Sequence, residues 1–198
     1  MAMTASTMMP LGTSAPDFKL KSTENQWVSL SDYQQAKALV VLFICNHCPY
    51  VIHIAPKLAE IAAEYQKQGV EFVAINSNDA EQYPADDFAH MQAEKAKRNY
   101  PFAYLFDETQ DVAKAYDAAC TPDIYVFDEQ QKLVYRGQFD GTRPHRISSG
   151  NYDSEKNPAT GEDLSAALDS ILRGSKPSEP QLASIGCNIK WKAGNEPK

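Results

Sequence analysis

The sequence has no apolar run long enough to cross a bilayer as a helix, a span that takes about 20 residues. Its opening segment, Met1 to Pro10, holds no lysine or arginine and no continuous apolar stretch, so it does not read as a secretory signal peptide. The expectation is a cytoplasmic protein with no membrane partner, in a compartment where structural disulfides are rare. Positive charge is also in deficit. Against 26 Asp and Glu stand 19 Lys and Arg, a net charge of −7, which argues against nucleic acid or an anionic membrane as the main partner. Cysteine is scarce as well: there are four in 198 residues, with Cys45 and Cys48 close together and Cys120 and Cys187 isolated. Zinc commonly takes two close pairs, so the chain is short of ligands for a structural metal site, and no metal or other cofactor is expected.

What is present is a strongly marked junction. Ala38 to Ile44 is an unbroken apolar segment rich in branched side chains, the pattern of a strand buried on both faces. After Pro49 the apolar positions Tyr50, Ile54, Leu58, Ile61 and Tyr65 recur at helical spacing. Cys45-Asn46-His47-Cys48 therefore occupies a strand-to-helix turn. The first turn of a helix carries unpaired N–H groups and the positive end of the dipole, both of which favour thiolate over thiol. Cys45 is the expected beneficiary, its pKa lowered from about 8.5 into the range of roughly 3.5 to 7.5. A protonated His47 adds to that stabilisation, and Cys48, one turn into the helix, is the resolving partner. Redox chemistry is the first reading of this pair; a metal site and a pair of inert core thiols stay open beside it.

Length and composition point to one domain. Residues 15–20 and 27–30 read as a β-hairpin around the polar turn 21–26. The helix after the cysteines runs to about Gln68, stops at Gly69, and holds Pro56, which removes a backbone hydrogen bond and kinks it. A strand over 70–75 follows, then a surface helix over 84–98 with Asp86 and Asp87 near its N-terminal end. Next come a strand over 102–106 and a helix over 109–118. Cys120-Thr121-Pro122 then opens a strand at 124–127 with an antiparallel return at 132–137.

A strand, C-x-x-C at the start of a kinked helix, alternating α/β elements, and Thr-Pro before a hairpin and a C-terminal helix together resemble the thioredoxin superfamily. The match covers roughly Leu11 to Gly174. The N-terminal Ala-Pro-Asp-Phe hairpin and the extra strand-helix segment between the cysteines and Thr121-Pro122 look like the redoxin branch, that of alkyl hydroperoxide reductases and thiol-specific antioxidants. The resemblance implies an α/β thioredoxin-like fold, with a mixed central sheet, helices on both faces, an N-terminal β-hairpin and an inserted strand-helix segment. It implies that Pro122 is cis and that Thr121 presents its backbone to substrate, making these two the substrate-binding residues. Cys120, two residues from that proline, is either a small buried packing residue or an auxiliary thiol.

Departures from the family separate two functional readings. Thioredoxins place a tryptophan before the first cysteine and a buried carboxylate in the preceding strand, where this chain has Ile44 and Leu39. Peroxiredoxins use P-x-x-x-T-x-x-C, which set on Cys48 would need threonine at Cys45 and proline at Val41. The arginine of that family falls roughly at Pro122. The expectation is thus a peroxiredoxin-like protein with thiol-disulfide oxidoreductase chemistry, Cys45, Cys48 and His47 being catalytic. Its partners would be a protein or low-molecular-weight disulfide or thiol and a thiol electron donor. The alternatives are a thiol peroxidase using Cys48 or Cys45, or a thiol-based metal-binding protein using Cys45, Cys48, His47 and Cys120.

The chain divides into a flexible segment 1–10, a domain over 11–174 and a tail over 175–198. The loop 140–161 is polar and long, and its Arg143, His145 and Arg146 are candidates for recognising an acidic group. Residues 162–173 form an amphipathic helix. The tail holds Ile185, Cys187, Ile189 and Trp191, too apolar to hang free, so it is expected to dock. Cys187 is then either a packing residue or a second auxiliary thiol.

Overall fold

The computed structural model describes residues 3–148 and 150–197. The first half of the chain forms β1 (Met3–Ala5), β2 (Lys19–Ser22), β3 (Trp27–Ser29), β4 (Ala38–Phe43), α1 (Pro49–Gln66), β5 (Val70–Asn76) and α2 (Phe88–Arg98). The second half forms β6 (Ala103–Phe106), α3 (Asp111–Ala115), β7 (Cys120–Thr121), β8 (Asp123–Asp128) and β9 (Leu133–Arg136). It continues with β10 (His145–Ser148), β11 (Asn151–Asp153), α4 (Glu162–Leu172) and β12 (Ile185–Asn188). The central sheet has the order β3-β2-β6-β5-β4-β8-β9 and is mixed, with β5 parallel to β4 and β6 and the other neighbours antiparallel. This is the thioredoxin-like α/β architecture that the sequence implies.

All six residues of β4 are buried, and successive side chains enter different cores. Ala38, Val40 and Leu42 pack with α1, Met91 of α2, and Leu164, Ala167 and Leu168 of α4. Leu39, Val41 and Phe43 pack with Val112 and Ala113 of α3, Met9, Phe18 and Leu30. An apolar run without alternation is therefore what a strand needs when both faces are covered. Each fully buried Val, Leu or Phe contributes about 1.5–3 kcal/mol, which holds the C-terminal end of β4, and the cysteines just beyond it, rigidly in place.

Three segments differ from the sequence reading. The helix expected over 84–98 begins only at Phe88: Pro84–Asp86 is a separate 3-10 turn, and Asp87 is the cap, its side chain accepting from the His90 N–H. The loop 140–161 contains the short hairpin β10–β11. Of the segment 1–10, expected to be flexible, residues 3–5 form β1, which pairs with the tail strand β12. That strand also pairs with β7, so the tail is seated against the domain in a small three-stranded sheet, β1-β12-β7.

Candidate active site

Cys45 and Cys48 lie between the end of β4 and the start of α1, both buried. Cys48 is not one turn into the helix, as its spacing suggested, but is the N-cap of α1, with Pro49 in the first helical position. Proline suits that position because its missing N–H would have no intrahelical acceptor. The side chain at the N-terminal end of the helix is consequently that of Cys48.

The cis-proline loop covers the pair. The Thr121–Pro122 peptide bond is cis, as the family resemblance implied. Thr121 Oγ1 lies 3.4 Å from Cys45 Sγ, and Cys48 Sγ lies 3.2 Å from the Thr121 carbonyl oxygen. Cys120 faces away, as neighbouring strand residues do; its Sγ contacts the Pro122 carbonyl at 3.5 Å and the Ser184 carbonyl at 3.9 Å. Cys187, by contrast, brings its sulfur to 3.0 Å from that of Cys48. No disulfide joins any of the four cysteines.

Burial pushes the Cys45 thiol up, and its hydrogen bond to Cys48 and the nearby Asp86 carboxylate push in the same direction. Burial also opposes ionisation of Cys48, but hydrogen bonds from the Cys187 and Cys45 thiols and the Val51 N–H outweigh it and hold its pKa well below the ordinary thiol range. The Cys187 thiol is pushed up by its hydrogen bond to Cys48, and then by burial. The surroundings thus favour ionisation of Cys48 over Cys45, the reverse of the order read from the sequence.

His47 turns toward Asp86. Its Nδ1 stands 2.7 Å from Asp86 Oδ2, too oblique for a good hydrogen bond but close enough for an ion pair. Contact with that carboxylate raises the His47 pKa against the opposing effect of burial. The imidazole also stacks on the Tyr83 ring, 6.1 Å between centroids. Asp86 is wholly buried and accepts from the Asn46 N–H at 2.7 Å and from Asn78 Nδ2 at 2.7 Å. Asn46 in turn donates to the Ala85 carbonyl and accepts from the Tyr104 hydroxyl. The carboxylate missing from β4 is thus supplied from the turn at Pro84–Asp86. Sequence reasoning assigned Asp86 to a helix terminus and missed it; the proline opening a turn of its own was the available signal.

Cys45 Sγ, His47 Nδ1 and an Asp86 oxygen lie within 4.8 Å of one another. That makes three donors, one short of the four that a structural zinc takes, and two of them already neutralise each other. Cys120 does not join this group.

Beside Pro122 a small cleft is lined by Tyr50, His53, Phe139, Thr142 and Arg143. The Thr142 hydroxyl donates to Asp140, so it accepts from His53 Nε2 at 2.9 Å, and burial keeps the His53 pKa low. Arg143 donates to the Asp140 and Thr142 carbonyls and to Gln138, while His145 and Arg146 stand exposed on β10. Of the three basic residues of this loop, Arg143 alone lines this cleft.

Residues 11–136 match the sequence profile of the AhpC/TSA family. The chain belongs to that family. Among its relatives is the thiol-disulfide oxidoreductase ResA of Geobacillus thermodenitrificans, 27% identical over 132 residues, which are 66% of this chain and 70% of that protein. Peroxiredoxin Q, chloroplastic, of Oryza sativa subsp. japonica is 25% identical over 137 residues, 65% of this chain and 59% of that protein. A crystal structure of an uncharacterized conserved protein from Geobacillus kaustophilus superposes with a TM-score of 0.89 at 50% identity, covering 97% of each chain. Thiol-based redox chemistry is accordingly the function class of this AhpC/TSA protein. Among the described residues no helix is long and apolar enough to cross a membrane.

Proposed function

We propose that the protein is a thiol-disulfide oxidoreductase whose redox pair is Cys45 and Cys48. The observation that carries this reading is the seating of both sulfurs at the strand-to-helix junction against the cis-proline loop, within 3.4 Å of Thr121. In this reading the reduced pair holds one proton and one negative charge, with Cys45 pushed toward the thiol and Cys48 toward the thiolate. As Cys45 attacks a substrate disulfide, its proton passes to Cys48, a new S–S bond forms to Cys45, and the substrate's bond breaks to release a thiolate. That thiolate takes the proton from Cys48. The Cys48 thiolate then attacks Cys45 in the mixed disulfide, expels the second substrate thiolate and closes the Cys45–Cys48 bond. Two electrons have moved from the pair to the substrate.

His47 and Asp86 tune this cycle by setting the charge beside the pair, and Thr121 and Pro122 shape the surface that receives the substrate sulfur. A protein or small-molecule disulfide is the substrate, with a thiol donor to regenerate the pair. A cytoplasmic location fits, since thiols there are kept reduced.

A thiol peroxidase is a second reading, favoured by one observation: the stabilised thiolate is Cys48, the position on which the peroxiredoxin motif falls. The threonine, proline and arginine of that motif are absent. Stopped-flow oxidation of the reduced protein by a peptide disulfide and by hydrogen peroxide separates the two. Fast reaction with the disulfide, slow reaction with peroxide and loss of activity in Cys45→Ser support exchange. Fast peroxide reaction surviving in Cys45→Ser puts the peroxidase in its place.

A further inference from the structure

Cys48 has two sulfur neighbours, its redox partner Cys45 and, 3.0 Å away, Cys187. Cys187 reaches it from the tail. In β12 it sits between two partners, opposite Met3 of β1 and opposite Thr121 of β7. Its neighbour Gly186 passes so close to the cis-proline loop that a Cβ there would come to 2.0 Å from the Thr121 carbonyl oxygen. Only glycine lets the strand approach this far. On either side of Cys187 the tail is tied down: Ser184 Oγ donates to the Gly137 carbonyl, and the Lys190 N–H and carbonyl bond to Asn78 Oδ1 and the Asp79 N–H. The sulfur is thus held at the redox pair by backbone pairing and by anchors that have no other role in the chemistry.

We propose that Cys187 is a third redox thiol of this site, which accepts the disulfide from the Cys45–Cys48 pair. The proposal rests on the exchange reading above and adds a step to it. In that step the Cys187 sulfur, giving up its proton, attacks Cys48 in the oxidised pair. The Cys48–Cys187 bond forms, the Cys45–Cys48 bond breaks, and Cys45 leaves as a thiolate that takes up the proton. One disulfide and one thiol are present before and after, so no outside oxidant or reductant is consumed. The product differs from the starting disulfide in two ways: the outer thiol Cys45 is returned to its reduced form, and β12 becomes covalently tied to the N-cap of α1.

The test is disulfide mapping of the full-length protein. Reduced wild type, Cys45→Ser and Cys187→Ser are oxidised with diamide, acid-quenched, alkylated, digested and analysed by mass spectrometry without reduction. The expected result is both linkages in wild type, Cys48–Cys187 alone in Cys45→Ser, and Cys45–Cys48 alone in Cys187→Ser. Thermal melts of each variant check that the fold is kept, and Cys187→Ala repeats the last arm with an apolar replacement. Wild type that gives Cys45–Cys48 while neither it nor Cys45→Ser gives Cys48–Cys187 overturns the relay and leaves the exchange pair standing. Cys187→Ser without any Cys45–Cys48 linkage removes both the pair and the step that starts from it.

Discussion

The His47 imidazole and the Asp86 carboxylate form an ion pair at 2.7 Å, one partner from the redox turn and the other from the 3-10 turn at Pro84–Asp86. Asp86 raises the His47 pKa; Cys48 does so too, while burial and Lys190 oppose it. The proton on His47 therefore stabilises the folded state fully below the unfolded value of about 6.5, and the gain is lost as pH rises through the higher folded-state pKa. In Asp86→Asn the imidazole titration followed by NMR should fall back toward about 6.5. The stability gap to wild type should narrow as pH rises past the wild-type midpoint. An unchanged midpoint would show that the carboxylate does not govern this histidine.

Ionisation of Cys48 is favoured because its neighbours, the Cys187 and Cys45 thiols and the Val51 N–H, stabilise its charged form. Ultraviolet thiolate absorbance of the reduced protein should persist well below the ordinary thiol pKa of about 8.5 and vanish in Cys48→Ala. Removing one donor in Cys45→Ala should raise the midpoint by about 1–2 pH units, the equivalent of one hydrogen bond to a charged group. Thiolate absorbance that survives at neutral pH in Cys48→Ala would instead assign the charge to Cys45.

The parts of this site that were legible in the sequence are those made by local pattern. A short apolar run without alternation, rich in branched side chains, reads as a doubly covered strand, and β4 with its two cores is that strand. The role of Thr121-Pro122 was legible through the family resemblance and not through its spacing. Asp86 was not, because an aspartate beside Pro84 reads equally well as a charge at a helix start; whether it turns outward or folds under Asn46 depends on contacts with Asn46 and Asn78. Nor could the sequence place the N-cap, since one residue of drift in the helix start moves it from the preceding turn to Cys48. Cys187 meets Cys48 across 139 residues of chain, and only strand pairing through Thr121 fixes that encounter.

Gly186→Ala places a methyl group on the Thr121 carbonyl, a backbone atom that cannot swing aside. Strand β12 must then back away from β7. Overpacking of this kind costs about 1–3 kcal/mol, which urea unfolding would measure. The same displacement draws Cys187 away from Cys48, so thiolate absorbance at neutral pH should fall with stability. A variant as stable as wild type would mean that the tail is not held against the cis-proline loop.

Asp123 follows Pro122 and is wholly buried in β8. Burial pushes its pKa up to about 6, although the Ala119 N–H and the Tyr125 hydroxyl donate to it. Its neighbours Cys120 and Tyr125 are themselves pushed up by burial and by this carboxylate, so they remain neutral throughout the range and leave Asp123 as the titrating member of the cluster. Because the folded-state pKa exceeds the unfolded value of about 3.9, the folded protein binds more protons between the two values. Stability from this group is complete below about pH 4 and declines as pH rises through 6, by on the order of 3 kcal/mol. In Asp123→Asn the carbonyl still accepts from Ala119 and no charge is buried. Unfolding free energies at pH 4.5 and 7.5 should therefore show the variant gaining on wild type at the higher pH by most of that amount. Equal differences at the two pH values would mean that Asp123 stays ionised in the folded state, and that the strand beside Pro122 carries its charge without cost.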